Sequence, residues 1–366
     1  MWPEAIPSFT MEIASSHTTL LAMTDHARDA HMDKIRIGVV GLRFGQWHVR
    51  TLAAMPEAQL VAIADRAPGN APDGLAAYAA RFGCQSYTDG IEMMEREQLD
   101  AISLCVSPRW RAPLIEHAAR RGIALFIEKP WATDNAHAQQ LAGLCRRLDA
   151  RVMTAFSFRF LPAIVRLREL LDGELGPAWL LNAEYVFGWL PPPGFWLWDP
   201  ADGNGFFNEN SCHLFDAVNY LLGQPVSVTA EAANFTGSPS EDAAAISVRY
   251  AAGGLAALTV GATGAKGFRE YPRLDVTTQH GQAKLLGRDH IWERVSWTLR
   301  DRDDVRSLLL PAELEGRTRY TYAFRHFFEC IREGRQPSVG VEDGVRTVAL
   351  AMAVYESART GRKVML

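Results

Sequence analysis

The chain predicts an α/β protein in two parts. The first is a parallel sheet covered by helices on both faces; the second is an α+β unit built on a large, mostly antiparallel open sheet. Three observations carry this prediction. Between residues 34 and 156, short apolar runs alternate with helical patterns at close spacing. Beyond about residue 156, runs that read as strands follow one another with few helices between them. Within the first part, the run 122–127 ends abruptly in Glu128-Lys129-Pro130. Proline disfavours the α region for the residue before it, so Lys129 is held extended at a strand's carboxyl end, where open α/β sheets bind ligands.

Taken in order, residues 1–33 show no clear period and no basic segment ahead of an apolar core, and are expected to form a flexible tail. Residues 35–40 read as a strand, 41–45 as a tight turn, 48–55 as a helix and 60–64 as a second strand ending at Asp65. A glycine turn between strand and helix presents N–H groups and a helix N-terminus to a pyrophosphate, while a carboxylate after the second strand bonds a ribose hydroxyl. The turn residues Gly41, Arg43, Phe44 and Gly45 are therefore candidate dinucleotide contacts, together with Asp65 and Arg66. The glycine spacing departs from the usual fingerprint: Arg43 stands where a second glycine is expected, and Gly45 comes one residue early. Asp65 favours NAD, whereas Arg66 and Arg43 are placed to clamp the extra phosphate of NADP. Between these, NAD is the expected cofactor. The alternation continues with helices at 73–82, 89–96, 111–121 and 133–148 and strands at 84–87, 101–106 and 152–156. Residues 34–156 are thus expected to form the first domain and 157–366 the second.

In the second part, strands are expected at 179–187, 226–235, 244–250, 255–260 and 274–278, with closing helices at 320–332 and 341–358. Two stretches carry candidate chemistry. Residues 187–198 are dense in aromatics and proline, suited either to a sugar's C–H faces or to a satellite core or subunit contact. Residues 208–222 read as one helix with an apolar stripe, opposite which lie Glu209, His213, Asp216 and Tyr220. Glu209 and His213 are four apart and so are neighbours on one helical face. Three ligands from one helix face make a poor tetrahedron, so no metal is expected, and a carboxylate-oriented histidine doing acid–base work is the stronger reading.

Composition removes several classes. The chain has 366 residues, 48% hydrophobic and 22% charged, which is globular rather than disordered. A net charge of -4 leaves no electrostatic footprint for nucleic acid, and no apolar run is long enough for a bilayer. Five scattered cysteines without a CxxC pair point to a reducing cytoplasm.

The stretches 38–41, Ser107-Pro108, Glu128-Lys129-Pro130, 205–216 and 334–361 resemble the Gfo/Idh/MocA family, across residues 34–366. The resemblance implies a Rossmann domain followed by an open-sheet domain that often mediates homodimers or homotetramers. It also implies hydride transfer between NAD or NADP and a sugar-like or polyol substrate. Lys129 matches the family's Glu-Lys-Pro lysine and His213 its acid–base histidine. Glu209 stands where the family usually has Asp, and Ser211 replaces a usual glycine. Ser107, Pro108, Glu128 and Pro130 are implied to line the cofactor side. In this reading Glu209 orients His213 or binds a neighbouring hydroxyl, and Glu128 faces away and leaves Lys129 free. A redox-neutral NAD-dependent glycosidase and a non-catalytic sugar sensor are the alternatives, and retention of both Lys129 and His213 speaks for an enzyme.

Overall fold

The computed structural model describes residues 33–309 and 319–366. The expected tail, residues 1–33, lies outside the described residues apart from Asp33. The first sheet holds six strands: β1 (Ile35–Val40), β2 (Ala58–Ala64), β3 (Gln85–Tyr87), β4 (Ala101–Leu104), β5 (Ala124–Ile127) and β6 (Val152–Thr154). Their order is β3-β2-β1-β4-β5-β6, and every pairing is parallel. Helices α1 (Leu42–Ala54), α2 (Leu75–Arg81), α3 (Gly90–Arg96), α4 (Arg111–Arg120) and α5 (Asn135–Arg147) connect them. Because the strands are covered on both faces, β4 and β5 are buried at every position, which is why they read as unbroken apolar runs. Asp89 and Asp134 cap α3 and α5 by accepting backbone N–H groups of the first turn.

One element differs from expectation at the first turn. Helix α1 begins at Leu42, so Gly41 alone makes the turn and Gly45 lies inside the helix. Gly45 is there for packing, since a Cβ would meet Val39 Cγ1 at 3.0 Å and Cys105 Cβ at 3.3 Å.

After α6 (Pro162–Asp172) comes β7 (Ala178–Val186), then the short helix α7 (Phe206–Glu209) and α8 (Cys212–Leu222). The strands β8 (Pro225–Ala233), β9 (Ala243–Tyr250), β10 (Leu255–Gly261), β11 (Arg273–Thr278), β12 (Gly281–Arg288), β13 (Ile291–Leu299) and β14 (Arg306–Leu309) follow. Helices α9 (Arg319–Arg332) and α10 (Val341–Thr360) and the terminal strand β15 (Val364–Met365) complete the chain. The second sheet runs β14-β13-β12-β11-β7-β10-β9-β8-β15, antiparallel except where β7 and β10 pair in parallel. In β9, β10 and β12, buried and exposed residues alternate, so one face is packed and the other open. The apolar stripes of α6, α8 and α10 cover the packed face.

Helix α9 returns to the first sheet. Phe324 stacks on Phe126 of β5 at 4.3 Å between ring centres, and Tyr320, Phe327 and Phe328 join the same core. Burying one such ring contributes about 2–3 kcal/mol, so these rings fasten α9 to the first sheet. Among the described residues, no helix is long and apolar enough to cross a membrane.

Candidate active site

The carboxyl ends of the first sheet face the second sheet across a cleft of about 870 Å³. This is the crevice beside the switch in strand order at β1 and β4, where doubly wound sheets bind ligands. Residues following β1, β2, β4 and β5 line one side, and residues of β7, α7, α8 and the loops after β7 and β12 line the other.

On the nucleotide side, Gly41 has φ of 89°, and a Cβ there would lie 2.9 Å from the Cys105 carbonyl. Only glycine lets the backbone make this turn without displacing the strand beside it. Helix α1 has no acidic residue of its own in its first turn, and its N-terminal end meets the cleft, where Arg43 and Phe44 lie. Asp65 stands at the end of β2 and accepts from the Leu42 N–H at 2.6 Å, the Ala67 N–H at 2.7 Å and the Asn70 amide. These bonds orient Asp65, and a ribose hydroxyl would take the place of the longer Asn70 contacts at 3.1 and 3.2 Å. Arg66 also lines the cleft, with its guanidinium 5.3 Å from the Trp110 ring centre. Ser107 and Pro108 line the cleft after β4, and Ser107 Oγ donates to Asp202, which Arg109 also engages at 2.6 Å. These residues fit a dinucleotide: a glycine turn, a helix N-terminus and a fixed carboxylate at the strand ends.

Two expected cofactor contacts sit elsewhere. Gly45 is inside α1, away from the cleft lining, and Pro130 turns its carbonyl to Arg111 rather than lining the cleft.

At the cleft base, Glu128 and Lys129 have different partners. Glu128 Oε1 meets His48 Nε2 of α1 at 2.9 Å, and His48 Nδ1 reaches Ser103 Oγ at 2.6 Å. Burial alone would lower the His48 pKa, but the Cys105 sulfur and the Glu128 carboxylate raise it to about 10. The His48 contact in turn holds Glu128 below the ordinary carboxylate range despite burial. Glu128 is thereby fixed away from the ammonium of Lys129, as expected.

The ammonium itself is not free. Lys129 Nζ pairs with Glu209 Oε1 and donates to the Glu209 carbonyl oxygen at 3.1 Å. This corrects the expected role of Glu209, whose carboxylate serves Lys129 rather than His213. The cause is local. The expected single helix over 208–222 is broken at Asn210 and Ser211, so the four-residue spacing does not put Glu209 and His213 on one continuous face. The break also withholds the Glu209 carbonyl from a helical partner, leaving it to accept from Lys129 and from the Cys212 thiol at 3.0 Å. Asn208 ties the same short helix to the loop after β5 by donating to the Ala132 carbonyl at 2.9 Å. Burial alone would lower the Lys129 pKa, but Glu209, with Cys212 and Glu128, together raise it, so the ammonium stays protonated. Of its three N–H groups, two are taken within the protein and one remains for a ligand.

His213 lies in the same cleft on α8. Its ring stacks on Phe158 at 4.9 Å, and Nδ1 is buried without a partner. Burial, and then the nearby Lys129, Arg319 and His290 charges, push its pKa well below the ordinary value, so the imidazole is neutral at pH 7. Asp216, one turn further on, is not at the site; Arg159 holds it in a bidentate pair at 2.5 and 2.8 Å and also reaches Asp343 at 2.8 Å. That buried pair anchors α8, and with it His213, to α10.

Several cleft residues have no local signal in the sequence. Tyr185 OH meets His290 Nδ1 at 2.5 Å, and Arg319 reaches the cleft from the start of α9. The aromatic loop supplies Phe187, Trp189, Phe195 and Trp196 to the lining, which favours the ligand-facing of its two readings.

Two family descriptions match the chain: an oxidoreductase family with an NAD-binding Rossmann fold over residues 35–156, and that family's C-terminal alpha/beta domain over residues 168–366. Inositol 2-dehydrogenase of Rhizobium meliloti is 28% identical over 345 residues, covering 91% of this chain and 99% of that protein. D-apiose dehydrogenase of Paraburkholderia graminis is 27% identical, covering 88% and 87%. Among solved structures, aldose-aldose oxidoreductase from Caulobacter crescentus superposes with a TM-score of 0.77 at 21% identity, covering 91% and 100%. Levoglucosan dehydrogenase in complex with NADH and L-sorbose gives 0.80 at 21% identity, covering 91% and 99%. At such identities, these last two likenesses concern the fold.

Proposed function

This chain belongs to the Gfo/Idh/MocA family of oxidoreductases, and on that premise we propose that it oxidises a hydroxyl of a sugar-like or polyol substrate with NAD. The observation that carries this reading is the pairing, in one cleft, of a protonated Lys129 with one N–H to spare and a neutral His213. Nicotinamide at the carboxyl ends of the first sheet would supply the hydride acceptor. His213 takes the hydroxyl proton as the C–H bond breaks, and Lys129 donates a hydrogen bond to the same oxygen and stabilises its developing charge. Glu209 keeps the ammonium in place by accepting from it twice, through its carboxylate and its carbonyl. Asp65 is the group that receives an adenosine ribose, which favours NAD over NADP. The names of the sequence relatives, inositol and apiose dehydrogenases, support a polyhydroxylated substrate.

Incubation with NAD and a panel of polyols and aldoses is expected to raise absorbance at the reduced-nicotinamide band. Fluorescence titration should show NAD binding at least tenfold tighter than NADP. Tighter NADP binding would mean that Arg43 and Arg66 clamp a 2'-phosphate.

A further inference from the structure

Arg319 opens α9 and is only 8% exposed, yet it lines the cleft. Its surroundings are mostly aromatic: the guanidinium carbon lies 5.5 Å from the Phe158 ring centre and 5.2 Å from that of Tyr320. It makes a long N–H donation to the His290 carbonyl at 3.5 Å, the Tyr320 hydroxyl and the more distant Glu128 charge act on it, and Nε is buried with no partner. Among the described residues, no carboxylate lies within ion-pair distance of it. Lys129, His48 and Arg159 are matched by Glu209, by Glu128, and by Asp216 and Asp343, and buried Arg111, which also has no carboxylate, donates to the carbonyls of Val106, Pro130 and Trp131, whereas Arg319 has no comparable set of acceptors. A buried charge is costly unless it is paired, so the opposite charge at Arg319 is left for a ligand to bring.

The position says which ligand. Arg319 and His213 share Phe158 as a neighbour, and Arg319 also lies against the His290 backbone on the second-sheet side. These contacts put Arg319 beside His213 on the second-sheet side of the cleft, with Tyr320 between it and Phe44 of the first turn. We propose that Arg319 binds a carboxylate on the substrate, so that the preferred substrates are polyhydroxy acids such as aldonic or uronic acids rather than neutral sugars. One unmatched guanidinium balances one negative charge, and its planar fork fits a carboxylate bidentately. Lys266, the other cation lining this side, is exposed and so has no buried charge in need of a partner. This assignment rests on the dehydrogenase reading above.

Paired probes test it: D-gluconate against D-glucitol, and D-glucuronate against D-glucose, with NAD and the parent, R319K and R319Q proteins. The acid of each pair should show at least tenfold higher kcat/KM in the parent. R319Q should bring that ratio near one, and R319K should retain part of it. In parallel, tryptophan fluorescence of the NADH complex titrated with D-gluconate should show at least tenfold weaker binding in R319Q, with NADH affinity within twofold of the parent. Equal use of acid and neutral probes, a ratio unchanged in R319Q, no gluconate binding, or weakened NADH binding instead would each overturn the assignment. If no probe reduces NAD, the dehydrogenase reading fails on these substrates, while the gluconate titration still decides whether Arg319 holds a carboxylate.

Discussion

Lys129→Ala should lower turnover by roughly 10²–10³, the usual cost of removing a donor that acts in the transition state, or about 3–4 kcal/mol. The same change strands Glu209, which is 6% exposed, as a buried carboxylate without its cation. Breaking such a pair costs about 3–5 kcal/mol of stability, so Lys129→Ala is expected to melt well below the parent. The two effects separate in the double variant Lys129→Met with Glu209→Gln. Removing both charges restores most of the melting temperature but none of the turnover. Lys129→Arg should rescue poorly, because the planar guanidinium cannot take the place of a compact ammonium held by Glu209. If the double variant turned over within threefold of the parent, Lys129 would be a structural ion-pair partner only. Steady-state rates on the best substrate and thermal melts together make the distinction.

His213→Asn should lower turnover by about 10²–10⁴, the range for loss of a positioned acid–base group, with little change in NADH affinity. The pH profile carries the sharper expectation. Burial, and then Lys129, Arg319 and His290, lower the His213 pKa, so the imidazole stays neutral well below its ordinary titration range near 6.5. Oxidation needs the neutral form as proton acceptor, so kcat/KM should stay flat from neutrality downward and fall only below that range. In His213→Asn this acid limb disappears. A purely structural histidine predicts the reverse: with Nδ1 buried and unpaired, His213→Leu would be silent in rate and would raise stability by relieving an unsatisfied polar atom, about 1–3 kcal/mol.

The first sheet was legible because its strands are buried on both faces, so apolar runs such as Ala101–Leu104 and Ala124–Ile127 stand out between capped helices. The far side of the second sheet was not. Strands β12 to β15 carry no such signal. Gly281 closes the turn between β11 and β12 and opens β12, where a Cβ would clash with the Thr298 carbonyl oxygen. Gly45 in α1 is likewise held to glycine by packing. At the site, Lys129 and His213 were found because each has a local signal, a strand-ending proline in one case and a helical stripe in the other. The pairing of Lys129 with Glu209 was missed because it joins residues 80 apart in sequence across the cleft, and the break after Glu209 removed the spacing that linked Glu209 to His213. Tyr185, His290 and Arg319 reach the cleft, and His48 reaches Glu128 behind it, through tertiary packing alone.

The account turns on two groups acting on one oxygen. A crystal structure of the protein with NADH and its best substrate measures this directly. The account predicts the reacting oxygen within about 2.6–3.2 Å of both Lys129 Nζ and a His213 ring nitrogen, with Lys129 still bonded to Glu209. A reacting oxygen in contact with neither residue would contradict it.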